Sequence, residues 1–309
     1  MGKGDSVLQI SHVSKNFGKV KALKDISFEI KAGEIFGFIG PNGSGKSTTI
    51  RILLGIIKAT AGEAYIYGED VWKQRVSIHE KIAYVPGDVY LWPNLTGGEI
   101  IDFLLKLSGQ KHSDKTDELI RAFDLDRSKK ARTYSKGNRQ KVALIAALSM
   151  DAQLYLFDEP TSGLDPLNEI IFQERVLALK QEGKSVLLSS HILSEVEKMC
   201  DRIAIVRDGR IIETGTLDEM RHLTGTQMYV KTREPLPELT KLTGVHGVRL
   251  HTPTEAELSV DAGEIETVLQ MLLTRGIDDL KMSPPALEDL FLHYYAQPTD
   301  GDEVSPKEA

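Results

Sequence analysis

Cysteine is nearly absent from this chain: Cys200 stands alone among 309 residues. An intrachain disulfide framework is thereby excluded, which fits a reducing compartment such as the cytoplasm. No apolar run approaches the roughly 18–20 residues that a membrane-spanning helix needs. The opening Met1-Gly2-Lys3-Gly4-Asp5 carries no apolar stretch of the secretory-leader kind. Positive charge is not in excess either. Lys and Arg number 38 against 45 Asp and Glu, a net charge of −7, which argues against nucleic acid as a partner through a broad basic surface. The cluster Lys129-Lys130-Ala131-Arg132 reads as a solvated face. With 41% apolar and 27% charged residues, the composition is that of an ordinary globular protein, and the length allows one large or two modest domains.

What is present is organised as α/β from about Val7 to Leu223. Nearly all-apolar runs at Ile35–Ile39, Leu154–Phe157, Val186–Ser189 and Ile203–Val206 read as parallel strands buried on both faces. Alternation in Ile26-Ser27-Phe28-Glu29-Ile30 predicts an antiparallel strand with one wet face. Leu167–Gln181 reads as a helix that stops near Gly183. From Gly97 to Met150 strand runs disappear and apolar residues recur at helical spacing, as in Ile100-Ile101 with Leu104-Leu105. This block reads as a helical insertion. Beyond Gly225 the expected order is strand (228–231), helix (236–242), strand (247–251), strand (257–260), helix (265–275) and strand (278–282), followed by a last helix (286–295). That βαββαβ order predicts a small ferredoxin-like α+β domain. The acidic, polar stretch 298–309 reads as a disordered tail.

The segment Gly40-Pro41-Asn42-Gly43-Ser44-Gly45-Lys46-Ser47 matches the phosphate-binding P-loop. It follows an apolar strand run and precedes a helix-like segment that begins at Thr48, the context the mechanism needs. Glycines let successive N–H groups point at phosphate oxygens, and the helix adds its N-terminal dipole. Lys46 can reach the β- and γ-phosphates, and the Ser47 hydroxyl can ligate magnesium. Residues 40–48 are therefore candidates for holding ATP. At Leu154-Tyr155-Leu156-Phe157-Asp158-Glu159, a strand ends in two acids. In P-loop enzymes an Asp at that place helps hold Mg²⁺ against the β- and γ-phosphates, and the adjacent Glu159 can polarise an attacking water.

Three further segments complete the pattern: Tyr134-Ser135-Lys136-Gly137-Asn138-Arg139-Gln140 before an apolar helix, Thr161-Ser162-Gly163-Leu164-Asp165-Pro166 after the acids, and His191 ending Leu187-Leu188-Ser189-Ser190. In the order and spacing of these motifs, residues from about Val7 to Leu223 resemble the nucleotide-binding subunit of an ABC transporter. The resemblance implies a P-loop NTPase core at 1–224 with its helical insertion at about 97–150, and an accessory domain at 225–297. It implies that Phe17 stacks on adenine, that Asp158 and Ser47 hold Mg²⁺, and that Glu159 is the general base. Ser135 and Gly137 would contact the γ-phosphate held by the opposite subunit, Asp165 would join the two sites, and His191 would sense the γ-phosphate. Glu159, His191 and Lys46 are thus the candidate catalytic residues, with ATP and Mg²⁺ as the ligands.

Two departures from the family pattern stand out. The signature, usually L-S-G-G-Q, is Tyr134-Ser135-Lys136-Gly137-Asn138 here. Where family members usually carry a glutamine, Tyr84-Val85-Pro86-Gly87-Asp88 has Gly87, so that the backbone, a water or Asp88 must substitute. The loop Leu91-Trp92-Pro93-Asn94-Leu95-Thr96 is apolar for a loop and is either a permease docking surface or packing under the helical insertion. Pro284-Pro285-Ala286-Leu287-Glu288-Asp289-Leu290-Phe291-Leu292 resembles the end of drug- and antibiotic-exporter ATPases of the tetronasin and daunorubicin resistance type. These resemblances imply an ATPase that energises export of a small molecule. Its partners would be a second copy or a paralogous ATPase and a separate membrane permease, at the cytoplasmic face of the membrane. An importer ATPase, or a soluble ATPase acting on a cytosolic macromolecule, remains open from the core motifs alone.

Overall fold

The computed structural model describes residues 6–221 and 225–283. The chain divides into two compact units between Thr214 and Gly215. The helix expected at 286–295, the exporter-like segment 284–292 and the tail 298–309 lie outside the described residues.

The first unit begins with strands β1 (Ser6–Phe17), β2 (Val20–Lys31) and β3 (Ile35–Ile39), followed by helix α1 (Lys46–Leu53). Strands β4 (Ala61–Ile66) and β5 (Glu69–Asp70), helix α2 (Arg75–His79) and strand β6 (Ile82–Val85) come next. Helices α3 (Gly97–Leu107), α4 (Asp114–Ala122) and α5 (Lys136–Ser149) follow without an intervening strand. The unit then alternates: β7 (Leu154–Asp158), α6 (Pro166–Gln181), β8 (Ser185–Ser190), α7 (Leu193–Met199), β9 (Arg202–Arg207) and β10 (Arg210–Thr216).

Six strands form one sheet in the order β10-β9-β3-β8-β7-β6. Its β9–β3, β3–β8, β8–β7 and β7–β6 pairs are parallel. Every residue of β3, β7 and β8 is buried, which is why these strands read as unbroken apolar runs. Burying each Val, Leu, Ile or Phe contributes about 1.5–3 kcal/mol. The result is a rigid floor whose carboxyl ends can carry polar groups, and ligands of open α/β sheets bind at those ends.

The second sheet, β2-β1-β4-β5, is antiparallel. In β2 the buried Ile26, Phe28 and Ile30 alternate with exposed Ser27 and Glu29, as their period-two pattern predicts. Phe28 locks this sheet to β3: its ring stacks on Phe36 at 5.2 Å and lies 5.2 Å from Phe38. In the helical segment, Thr96 and Glu99 form a capping box at the start of α3, satisfying backbone donors that a helix start leaves unpaired. Helix α5 is buried from Gln140 to Ser149 and packs against both α3 and α4.

The second unit contains α8 (Leu217–Arg221), β11 (Thr226–Thr232), β12 (Val245–Thr252), β13 (Glu255–Val260), α9 (Ile265–Leu273) and β14 (Ile277–Ser283). Its sheet order is β12-β13-β11-β14 with antiparallel pairs throughout, the strand order of the expected ferredoxin-like domain but with one of its two helices. Val268 and Leu272, one turn apart on α9, share a core with Met228, Val230, Ala256, Leu258 and Val260. The helix expected at 236–242 is instead a single 3-10 turn, Leu239–Lys241. Pro235 and Pro237 remove backbone donors, and Pro237 holds Leu236 out of the helical region.

Candidate functional site

The P-loop connects β3 to α1 over residues 40–45. Gly45 caps the helix with φ 113°, and a Cβ there would lie 2.6 Å from Leu23 Cδ2 and 3.1 Å from Ala22 O. No other residue fits that backbone and that space. Asn42, Gly43, Lys46, Ser47 and Thr48 line a cleft of about 130 Å³ with Glu159 at one side. Ala22, from β2, also lines it, although nothing in its sequence context marks it. Within the loop, Ser44 Oγ is buried without a hydrogen-bond partner.

Lys46 is 4% exposed. Its ammonium donates to Gly40 O at 2.6 Å and Pro41 O at 3.1 Å, and it meets Glu159 Oε1 at 3.1 Å. An ammonium has three N–H donors, so this set occupies all of them. A phosphate oxygen arriving in the loop can replace Glu159 with little rearrangement of the backbone contacts.

Asp158 and Glu159 stand at the end of β7. Asp158 is buried, and its Oδ1 accepts a hydrogen bond from Ser189 Oγ at 2.6 Å. Glu159 has the left-handed φ of 48°, a conformation that costs a non-glycine residue about 1–3 kcal/mol. The neighbouring strand holds it there: Glu159 N–H donates to Ser189 O at 3.0 Å and approaches Ser189 Oγ at 3.2 Å. The second Glu159 oxygen, Oε2, lies 3.3 Å from His191 Nδ1. One carboxylate thus bridges the P-loop lysine and the histidine after β8. Lys46, Asp158, Glu159 and His191 are brought together; Ser189, which fixes both acids, sits inside what sequence shows only as an apolar strand run.

The signature segment and the loop after Glu159 form a second cluster. Ser135 caps α5, its Oγ accepting from Asn138 N–H at 3.2 Å. Gly137 lies so close to that loop that a Cβ would sit 2.3 Å from Gly163 O. Lys136 Nζ donates to Ser162 Oγ at 2.7 Å, and Gln140 Nε2 donates to Pro160 O at 2.9 Å. Asp165 caps α6 through Asn168 N–H at 3.1 Å and also accepts from Asn168 Nδ2 at 2.6 Å. These bonds hold its carboxyl below the usual range.

Phe17 stands at the end of β1 with half its surface exposed, and Lys15 Nζ lies 4.9 Å from its ring centre. Gly87 backs onto the end of β7: a Cβ there would lie 3.1 Å from Asp158 O and 3.7 Å from Glu159 Cβ. A side chain there would thus be a tight fit against the end of β7, and Asp88 beside it is exposed.

Comparison with known proteins accords with this geometry. The family model described as "ABC transporter" matches residues 23–162. The linearmycin resistance ATP-binding protein LnrL of Bacillus subtilis (strain 168) is 33% identical over 304 residues, covering 93% of this chain and 97% of that protein. The daunorubicin resistance ATP-binding protein DrrA3 of Streptomyces coeruleorubidus is 30% identical over 318 residues, covering 99% of each. Among solved structures, the ATP-binding cassette MJ0796, as a dimer in a post-hydrolysis state bound to ADP and Pi, superposes with a TM-score of 0.61. It is 26% identical, covering 68% of this chain and 98% of its own. By these relatives and the family model, this chain belongs to the ABC transporter ATP-binding proteins, ATPases that couple hydrolysis to transport.

Proposed function

We propose that this chain is the ATPase of an exporter, working as one half of an ATP-bridged pair under a separate membrane permease. The observation that supports it most is the meeting of Lys46, Glu159 and His191 beside Asp158, at the carboxyl ends of parallel strands. ATP lays its phosphates along residues 40–48, and Phe17 offers the exposed face of its ring to adenine. A γ-phosphate oxygen takes the place of Glu159 on the Lys46 ammonium. The released Glu159 carboxylate then orients a water for in-line attack and accepts its proton, while His191 holds Oε2 and reads the γ-phosphate. Positioning and charge neutralisation carry most phosphoryl transfer.

The donors at this place fit Mg²⁺. Asp158 offers one carboxylate, with Oδ1 anchored by Ser189, and Ser47 offers a hydroxyl. Among the described residues no group of three or more His, Cys, Asp or Glu could hold a metal. Mg²⁺ commonly takes one or two protein oxygens and completes its shell with phosphates and water. When bound there, Mg²⁺ neutralises charge on the β- and γ-phosphate oxygens.

Ser135 and Gly137 open a 14-residue helix, and helix N-termini favour polyanions. In the pair they face the γ-phosphate held by the opposite subunit, either a second copy or a paralogous ATPase, with Asp165 joining the two sites. Tyr90 is 91% exposed, and Trp92 and Phe103 are exposed aromatics in edge contact at 5.1 Å. This is the surface on which a permease segment docks. No helix among the described residues is long and apolar enough to cross a membrane. A separate permease as partner implies a peripheral position at the cytoplasmic face. Export of a drug-, antibiotic- or lipid-like molecule is favoured by relatives named for linearmycin and daunorubicin resistance.

The test is co-expression with any permease encoded next to this chain, reading co-purification and ATPase rate. A stable complex with an altered rate is expected, and combined Tyr90→Ala and Trp92→Ala should weaken both. An ATPase that ignores that permease would overturn the exporter assignment.

A further inference from the structure

Under the hydrolytic residues lies a carboxyl group with no part in the chemistry described so far. Glu195, on α7, is 4% exposed. Its Oε2 accepts hydrogen bonds from Thr161 Oγ1 at 3.0 Å and from Ser190 Oγ at 3.3 Å. Its other oxygen, Oε1, is buried with no hydrogen-bond partner. Burial pushes this carboxyl above the usual range, against the two hydroxyl donors.

One donor lies in the loop after β7, and the other is the last residue of β8. Thr161 lies two residues beyond Glu159, is itself buried, and accepts the N–H of Leu164 on its carbonyl at 2.9 Å. Ser190 immediately precedes His191, and its Oγ accepts from Ile192 N–H at 2.9 Å. One oxygen atom therefore spans the loop that presents Glu159 and the strand end that presents His191. Above it, those two side chains meet at 3.3 Å. A buried carboxyl with one unpaired oxygen destabilises a fold relative to an apolar side chain of the same size. Its presence under the site calls for a role in placement rather than in packing.

We propose that Glu195 is a positioning residue that holds the Glu159 loop and the His191 loop in register, so that base and histidine act on one water as a unit. The proposal rests on the assignment of Glu159 and His191 as the hydrolytic pair. Nucleotide affinity comes from the P-loop and Phe17, which Glu195 does not touch. Its loss should therefore appear in kcat and leave KM for ATP nearly unchanged. Misplacement of a catalytic group by an ångström can lower a rate by about 100-fold.

The experiment measures kcat, KM for ATP and melting temperature for Glu195→Ala, Glu195→Gln, Thr161→Val, Ser190→Ala and the Thr161→Val/Ser190→Ala double variant. Expected for Glu195→Ala is a fall in kcat of about 10- to 100-fold with KM within about twofold. Glu195→Gln, which keeps an acceptor oxygen, should recover most of it. Losing either arm breaks the bridge, so the double variant should be no slower than the slower single variant. Should Glu195→Ala not fold, the two hydroxyl variants and their double carry the test by themselves. Wild-type kcat in these variants, a change confined to KM, or additive losses in the double would each overturn the proposal. Glu159→Gln and His191→Ala in the same assay separate the two levels. If they lose hydrolysis while the Glu195 series is silent, only the bridge is wrong. If Glu159→Gln hydrolyses ATP at the wild-type rate, the assignment beneath falls and the bridge falls with it.

Discussion

The two principal sheets on either side of the Thr214–Gly215 division treat buried polarity in opposite ways. Beneath and beside the six-stranded sheet of the first unit, Lys46, Asp158, Thr161, Ser189, Ser190 and Glu195 are all buried, and Glu159 is held in a left-handed backbone conformation. In the four-stranded sheet of the second unit, the buried polar residues among those described are Thr232 and Ser259, with no buried charge. Desolvating ionisable groups and straining a backbone both cost stability. They persist where position matters more than stability, the pattern expected of the proposed reacting centre. The antiparallel sheet shows only the signature of packing: one apolar face under α9 and a polar face opposite.

That contrast can be broken in several ways. The largest effect should come from Lys46→Ala, which removes the ammonium that contacts Gly40, Pro41 and Glu159. ATP affinity should weaken and turnover fall by at least about a hundredfold, as read in nucleotide binding and phosphate release. Retention of turnover would mean that the buried charge of the first unit is not there for chemistry.

Gly137→Ala should come next. A methyl group 2.3 Å from Gly163 O must push the signature turn away from the loop that follows Glu159. A fall in ATPase rate of about tenfold is expected, with nucleotide affinity of the single chain within about twofold of wild type. A rate unchanged by this methyl would show that the signature cluster adapts freely.

The smallest effect on activity should follow Leu258→Ala in the second unit. Leu258 is 1% exposed, and truncating a buried Leu destabilises by about 2–5 kcal/mol. Calorimetry should show the loss in the transition of that unit, while the ATPase rate below that transition stays at the wild-type value. A rate that drops with the second unit's stability would show that its sheet takes part in turnover.

Much of the first unit could be read from sequence because its strands are buried on both faces. Ile35–Ile39 and Leu154–Phe157 announce themselves as apolar runs, and the P-loop and the Asp158-Glu159 pair follow them directly. Strands β4 and β6 are harder to see. Ala61–Ile66 includes Gly62 and Glu63, and Ile82–Val85 is four residues long, so neither yields a clear period. In the second unit the helical spacing at 236–242 misleads, since the prolines at 235 and 237 decide the backbone there. Within the candidate site, motifs mark Lys46, Asp158, Glu159 and His191, whose placement depends on local sequence. Ser189 and Glu195 carry no such mark. Their importance arises from contacts between β7, β8 and α7, which only the folded chain creates. Gly87 is legible as a departure from the family pattern, but its closeness to Asp158 O is a tertiary fact.

The central claim is that Glu159 acts on water while the rest of the site binds ATP, and Glu159→Gln tests it most directly. The variant is incubated with ATP and Mg²⁺, and hydrolysis and molecular mass in solution are measured together. The expected result is retained ATP, hydrolysis lower by about 10²–10⁴-fold, and accumulation of a dimer. A variant that stays monomeric and hydrolyses ATP at the wild-type rate would contradict it.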